Sequence, residues 1–291
     1  MAQPTVTAVV VTRDRRELLH ACLTALGAQT RAVDRILVVD NFSSDGTPDM
    51  VRAEFPHVDL LCLTENVGGA GGFHAGMREA SDAGADWLWI LDDDTIAQPT
   101  ALERLLDAPW REAGLPEPSL LASRVNWTDG EPHPMNMPIL RRRDPEGLVA
   151  AAGVGLLPLR SATFVSSLVS GDAVRRHGLP LAEYFLQADD VEFTARVLRR
   201  EHGYFVPDSI VEHRTKSPHN FLSDAFRFYY HLRNTLFMLR SEAWAPNEKA
   251  ALRWVLLESS TRFLWLNRFN RESAATVVRA LRDGLSRRVV A

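Results

Sequence analysis

Short apolar runs alternate with stretches of helical periodicity through the first third of the chain. Val6–Thr12 is continuous and β-branched, the pattern of a strand buried on both faces. Asp14, with Glu17 three residues on, resembles a capping box and predicts a helix reaching about Gln29. A second strand is expected over 36–39, closed by Asp40-Asn41. Residues 44–48 are turn chemistry that starts a helix, with Pro48 in its first turn. A third strand follows over 58–63, then a glycine-rich run over 65–73 that leads into a helix to about Ala83. Residues 87–91 form a fourth strand, and a helix starts near Pro99. Strands alternating with helices predict βαβ units on a mostly parallel sheet.

From Pro109 to Pro158 the pattern weakens and proline is frequent. A strand is expected over 163–170, with Gly171-Asp172 turning out of it. Residues 184–188 lead into Asp189-Asp190-Val191-Glu192, and a helix continues over 194–200. A strand over 203–211 delivers Glu212-His213-Arg214. The spacing of Phe226, Phe228, Leu232 and Leu236 predicts a helix over 221–240, and the chain is helical again from Ala250.

Composition narrows the class. The chain has 291 residues, 46% of them hydrophobic and 24% charged, as expected of a globular protein with a sizeable core. A net charge of −4 gives no reason to expect nucleic acid as a partner. Cys22 and Cys62 lie in apolar patterns and read as buried thiols rather than as a disulfide framework or paired zinc ligands. No signal peptide is visible and no stretch approaches about 18 uninterrupted apolar residues, so cytoplasm is the expected location. The segment 251–291 carries eight arginines against three carboxylates. With its tryptophans it reads either as a helical pair with solvated arginines or as a peripheral contact with an anionic membrane face.

The candidate chemistry lies at strand ends. Asp92-Asp93-Asp94 closes the fourth strand, and three adjacent carboxylates stay ionised only with a cation or donors among them. Oxygen ligands suit Mg²⁺ or Mn²⁺; the competing reading is an acidic turn capping the helix near Pro99. Asp40 could accept from a base N–H or a ribose hydroxyl, or cap a turn. The glycine run 68–72 would let backbone approach a ligand and opens a helix whose N-terminus favours phosphate. It follows the third strand, whereas a dinucleotide site would want its glycines after the first. Asp189 and Asp190 could cap a helix, or one could be a general base with a raised pKa. His213 is a candidate metal ligand. Arg141-Arg142-Arg143 reads as a solvated loop, with phosphate contact as its alternative.

Taken in order, these pieces resemble the family 2 glycosyltransferases of GT-A fold. The resemblance rests on Val9-Val10-Val11-Thr12-Arg13, Val38-Val39-Asp40-Asn41, Ser43-Ser44-Asp45-Gly46-Thr47, Asn66-Val67-Gly68-Gly69, Leu91-Asp92-Asp93-Asp94, Asp189-Asp190-Val191-Glu192 and Tyr230-His231-Leu232-Arg233-Asn234. The run Gly68-Gly69-Ala70-Gly71-Gly72-Phe73 followed by Gly76-Met77 is most similar to actinobacterial galactofuranosyltransferases. The resemblance implies a Rossmann-like, mostly parallel sheet flanked by helices. It implies a catalytic domain over 1–215, with a nucleotide-sugar half to about 108 and an acceptor half beyond, and a C-terminal helical region over 216–291.

The activity implied is an inverting, metal-dependent hexosyl transfer, with UDP-galactofuranose as donor and a glycan or lipid-linked acceptor. A dTDP-rhamnose enzyme is the nearer alternative; a sugar nucleotidyltransferase or a non-catalytic nucleotide-sugar-binding protein is more distant. Thr12, Arg13 and Asp40 would hold the nucleoside. Asn66 with Gly68, Gly69, Gly71 and Gly72 would lie near the nucleotide sugar, and Asp93, Asp189 and Glu192 are counted with the substrate contacts. Asp94 and His213 would hold the divalent cation, Mn²⁺ or Mg²⁺, and Asp190 would be the base. Asp92 would approach the ribose or the metal; it is paired with Asp94 because alternate residues of an extended segment point the same way. A homo-oligomer is a further partner reading.

Overall fold

The computed structural model describes residues 3–142, 144–216, 224–287 and 289. Its first half alternates as read from the sequence: β1 (Val6–Thr12), α1 (Arg16–Gly27), β2 (Arg35–Asp40), α2 (Thr47–Glu54), β3 (Asp59–Cys62), α3 (Gly68–Asp82) and β4 (Trp87–Asp92). A tight turn through Asp93 and Asp94 leads into β5 (Thr95–Ala97) and α4 (Ala101–Leu106). The second half holds β6 (Pro118–Asn126), β7 (Ile139–Leu140), α5 (Pro145–Gly153), β8 (Leu157–Ser161), β9 (Ser167–Ser170), α6 (Gly171–His177), α7 (Asp189–Val197) and β10 (His202–His213). Three helices follow: α8 (Ala225–Arg240), α9 (Pro246–Leu266) and α10 (Arg271–Ser286). The expected start of α8 at 221–223 lies outside the described residues.

The strands form one mixed sheet in the order β3-β2-β1-β4-β9-β6-β10-β8-β7, with β5 pairing to β10. The strands β3, β2, β1 and β4 are mutually parallel, as are β6 and β10. Between these two parallel sets runs β9, antiparallel to both β4 and β6. The mostly parallel expectation holds for β1 to β4 and gives way to mixed pairing beyond them.

Every residue of β1 is buried, because helices cover both faces of the sheet. Val6, Ala8 and Val10 join Leu19, Leu23, Met50 and Leu102 on one side. Val9 and Val11 join Phe73, Met77, Val174 and Phe193 on the other. This is the period-two alternation of a strand between two apolar layers. A third cluster beyond the sheet joins α8 to Ala70 and Tyr184, and a fourth packs α8, α9 and α10 together. Phe228 and Phe263 stack there with centroids 3.8 Å apart.

Several local expectations are corrected. Asp14 does not cap α1: its φ is +51°, and its Oδ1 accepts instead from the Ser44 amide at 2.7 Å. Cys22 is buried, but Cys62 is exposed, since β3 is the sheet's edge strand. Arg141 is no solvated loop residue, because its guanidinium donates to the carbonyls of Leu198 and Glu201. Arg142 is exposed, and Arg143 lies outside the described residues. The weakly patterned stretch 109–158 contains the nine-residue strand β6, the start of β8 and helix α5. Gly171-Asp172 opens α6 rather than a turn. Among the described residues no helix is long and apolar enough to cross a membrane.

Candidate active site

Strand register assembles the acidic site. In the parallel ladder Thr12 lies opposite Asp40 and Val11 opposite Asp92, so three polar residues emerge together at the carboxyl ends of β1, β2 and β4. Crevices outside the carboxyl ends of such strands are where open α/β sheets bind ligands. His213 arrives from far along the chain through β5. This three-residue strand leaves the Asp93-Asp94 turn and pairs antiparallel with β10, setting His213 opposite Thr95. The Arg214 amide bonds the Asp94 carbonyl at 2.9 Å and closes the junction.

His213 Nε2 lies 3.0 Å from Asp94 Oδ1 and 3.9 Å from Asp92 Oδ2. One ligand atom from each of Asp92, Asp94 and His213 falls within 4.8 Å of the other two. Asn136 Oδ1 accepts the Nδ1 proton of His213 at 2.8 Å, which turns Nε2 toward the carboxylates. Holding one ring nitrogen in this way orients the other for a metal. Two carboxylates and an imidazole suit Mn²⁺, and a set richer in oxygen suits Mg²⁺, so the residues fit the divalent cation that the sequence implies.

Burial alone would raise the Asp94 carboxyl; the hydrogen bond and charge of His213, helped by Arg15, outweigh it and hold Asp94 below the usual range. Burial alone would lower His213, and Asp94 raises it instead. Asp92, at the open edge of the cleft, is pushed up to about 6 by its desolvated setting first and then by the charge of Asp94. Asp93 is pushed up to about 7, chiefly by burial.

The Asp190 charge adds to the upward shift of Asp92, which places the second acidic cluster beside the first. Burial raises Asp190 to about 6, against the pull of backbone N–H groups from Val191 and Phe164. Asp189 is raised well above the ordinary carboxylate range by burial and then by Asp190. Neither side chain caps α7, whose N-cap is Ala188.

The other expected residues divide. Asp40 is buried; its Oδ2 accepts from the Ser43 amide at 3.1 Å, and its Oδ1 has no hydrogen-bond partner. Thr12 is buried and donates to Asp93 at 2.8 Å, so it supports the acidic turn. Arg13 points outward beside Asp14. The cation that meets the acids is Arg15, a residue sequence reasoning passed over: its Nη1 lies 3.1 Å from Asp93 and 2.6 Å from Asp94.

Asn66 and its neighbour Asn41 shape the glycine run. Asn66 Oδ1 accepts from Gly68 N at 3.0 Å, and Asn41 spans the Val67 amide and the Gly68 carbonyl. The run is the first turns of α3 rather than a loop. Gly71 and Gly72 are close-packed on their α-carbon side. A Cβ would lie 2.5 Å from Val67 at the first and 2.5 Å from Val11 at the second. Gly68 has φ +73° and touches the Phe185 carbonyl; only Gly69 faces open space. The amides of Gly68 and Ala70 already have protein acceptors, which leaves less of this helix end for phosphate than expected. Glu192 is fully buried and bonded to Arg196 and Ser241, away from the cleft.

Comparison with known proteins agrees with this architecture. Residues 7–135 match the family model described as Glycosyl transferase family 2. Galactofuranosyltransferase GlfT1 of Mycobacterium tuberculosis (strain H37Rv) is 34% identical over 194 residues, covering 66% of this chain and 64% of that protein. Its namesake in Mycolicibacterium smegmatis is 34% identical over 198 residues, covering 67% and 65%. The chain thus aligns with just under two thirds of these relatives' length. The N-acetylglucosaminyl-diphospho-decaprenol L-rhamnosyltransferase of M. tuberculosis is 30% identical over 146 residues, 46% of each chain. Among solved structures, S. aureus TarS 1–349 in complex with UDP gives a TM-score of 0.63 at 15% identity, over 97% of this chain and 80% of that one. Mannosyltransferase PcManGT from Pyrobaculum calidifontis, in complex with GDP-Man and Mn²⁺, gives 0.56 at 18% identity, over 99% and 77%. Residues 7–135 thus carry a family 2 glycosyltransferase domain, and the chain has the GT-A type fold of its structural neighbours.

Proposed function

We propose that the protein transfers galactofuranose from UDP-galactofuranose to a hydroxyl of a glycan or lipid-linked glycan, with inversion at the anomeric carbon. The observation that supports this is the convergence of Asp92, Asp94 and His213 at the strand ends, with the Asp190 charge near enough to act on Asp92. Asp40 Oδ1, buried without a partner, is suited to the imide N–H of uracil. Asp92, Asp94 and His213 would hold a divalent cation, which when bound neutralises charge on a leaving diphosphate. Asp190 takes the proton of the acceptor hydroxyl. Its raised carboxyl is half deprotonated at about pH 6 and fully available near neutrality, as a general base requires. Burial, and then the charge of Asp190, raise the neighbouring Asp189 carboxyl well above the ordinary carboxylate range.

The relatives' names support the galactofuranosyl choice over rhamnosyl by identity and coverage. The test incubates the protein with UDP-galactofuranose and dTDP-rhamnose over a panel of saccharide acceptors, with Mn²⁺, Mg²⁺ or EDTA. Nucleotide release is followed and product configuration read by NMR. Transfer from dTDP-rhamnose alone refutes the donor, a retained anomeric configuration refutes the single displacement, and full activity in EDTA refutes the metal.

A peripheral membrane contact belongs to the same reading. Trp254, Leu257, Thr261 and Trp265 share one face of α9 by helical spacing, and the two tryptophans are 67% and 70% exposed. Exposed Arg253, Arg262 and Arg268 flank them, the composition of an interfacial helix on anionic lipid. Co-flotation with vesicles containing phosphatidylglycerol, lost in a Trp254→Ser, Trp265→Ser double variant, supports it. Equal flotation of that variant refutes it.

A further inference from the structure

Between the end of the short turn at 182–184 and the start of α7 the backbone passes through three positive-φ residues, none of them glycine: Phe185 at +60°, Gln187 at +67° and Ala188 at +65°. Phe185, with ψ −55°, closes a γ-turn of the rare strained form, its Leu186 amide bonding the Tyr184 carbonyl at 2.6 Å. Such backbone persists only where its surroundings over-determine it. The very next residues are Asp189 and Asp190.

What over-determines the turn is a pair of side chains about fifty residues later. Asn234, fully buried on α8, directs Nδ2 at three successive kinks of the turn: the carbonyls of Tyr184 at 3.0 Å, Leu186 at 2.7 Å and Gln187 at 2.7 Å. Arg233, also buried, donates to the carbonyls of Glu183 at 2.8 Å and Tyr184 at 2.7 Å, and its Nε holds Asn234 Oδ1 at 2.9 Å. Its charge is set over the rings of Tyr230 and Phe237 at 4.7 and 5.0 Å. The remaining carbonyl, that of Phe185, accepts from Ala70 in the glycine turn of α3 at 3.2 Å. Every carbonyl from 183 to 187 is therefore fixed from outside the turn.

We infer that Arg233 and Asn234 are positioning residues: α8 clamps the strained turn 184–188 so that Asp190 is presented to the acceptor beside Asp92, and the turn in turn abuts the glycine end of α3. The inference rests on the glycosyl-transfer reading for its catalytic consequence, but the clamp itself has a readout that needs no activity. Removing Asn234 leaves the turn to relax toward negative φ, and a displacement of about 1 Å in a catalytic group costs on the order of 10²-fold in rate.

The experiment compares the wild-type protein, Asn234→Ala, and Asn234→Ala with Ala188→Gly. Glycine adopts positive φ without penalty, so it replaces part of what the clamp supplies. Asn234→Ala is expected to lower kcat about 10²-fold, with UDP affinity by calorimetry within about twofold. The added Ala188→Gly is expected to restore about tenfold, and amide exchange over 185–190 is faster in Asn234→Ala than in the wild type while exchange across β1 is unchanged. Should Asn234→Ala fail to fold, Ala188→Val loads the same turn from its own side. It is expected to lower kcat at unchanged UDP affinity. Unaltered exchange over 185–190, a parallel loss of UDP binding and kcat, or no recovery with Ala188→Gly overturns the clamp. A wild-type protein that transfers nothing, yet shows the exchange difference, fails the glycosyl-transfer reading and leaves the clamp supported.

Discussion

Gly68→Ala tests how tightly the two halves of the cleft are joined. Gly68 sits at φ +73°, where a side chain adds about 1–2 kcal/mol of strain. Its Cβ would also stand 2.0 Å from the Phe185 carbonyl oxygen and 2.6 Å from the carbonyl carbon. Ordinary contact needs roughly 3.4 Å, so one backbone must retreat by more than 1 Å, and the retreating partner is the turn that carries Asp190. The backbone term alone lowers Tm by about 2–8 °C in a chain of this size. The displacement lowers kcat on the order of 10²-fold. Gly69→Ala is the matched control: no atom lies within 4 Å of its Cβ and its φ is not positive. Alanine there is expected to hold or raise Tm, since it stiffens the helix by about 0.5–1 kcal/mol. If the donor diphosphate approaches this backbone, KM for the donor rises while kcat holds. The assay is initial-rate kinetics in both substrates beside thermal unfolding of each variant. Wild-type kcat in a folded Gly68→Ala would refute the reasoning, because the turn could then move without moving the base.

Three further outcomes are expected. Asp190, raised to about 6, must be a carboxylate to act, so kcat/KM falls as pH drops through about 6, roughly tenfold per unit below it; Asp190→Asn removes this limb and about 10²–10⁴ of the rate. A pH profile flat from 7 to 5 would contradict the assignment. Arg15→Gln takes a cation from 2.6 Å of Asp94, and since the Arg15 side chain is 42% exposed the loss is near the lower end of the roughly 1.5–3 kcal/mol of a charged hydrogen bond. The metal-free protein is expected to melt lower and to gain more Tm from Mn²⁺, which no longer competes with a guanidinium; an unchanged Mn²⁺ response would count against that. Asp40→Asn is expected to leave Tm unchanged or higher while weakening UDP binding about tenfold or more, about 1.4 kcal/mol by calorimetry, and wild-type UDP affinity would remove Asp40 from the base pocket.

The first four strands were legible because β1, β2 and β4 are apolar on both faces, and β2 and β4 end in acids, a pattern that needs no distant partner to be recognised. Strand β6 was not, and the reason is chemical. Ser119 and Ser123 break its apolar run, yet both are buried. Ser123 bonds Ser166 and Ser209 at 2.7 Å each, and Ser209 passes a bond to the Ala101 carbonyl at 2.8 Å. Hydroxyls that satisfy one another behave as core, and nothing in a linear pattern announces it. Arg15 was missed for a related reason: the capping box read at Asp14 hid a positive-φ residue that turns Arg13 out and carries Arg15 onto the acids.

The same distinction separates the acids from what aims them. Asp92, Asp94, His213 and Asp190 could be named from residue type and strand ends. Their convergence depends on a three-residue strand, β5, and on a strained turn whose restraints come from α8. Neither device has a local signal. A three-residue strand is too short for periodicity, and Arg233-Asn234, legible only as part of a family-like motif, says nothing of the carbonyls of 183–187 that gather around it. Chemistry of this kind is written in residue identity, whereas its aim is written in long-range hydrogen bonds. Substitutions at Asn234 or Gly68 should therefore harm turnover more than substrate binding, although neither residue belongs to the set that touches a cation or a proton.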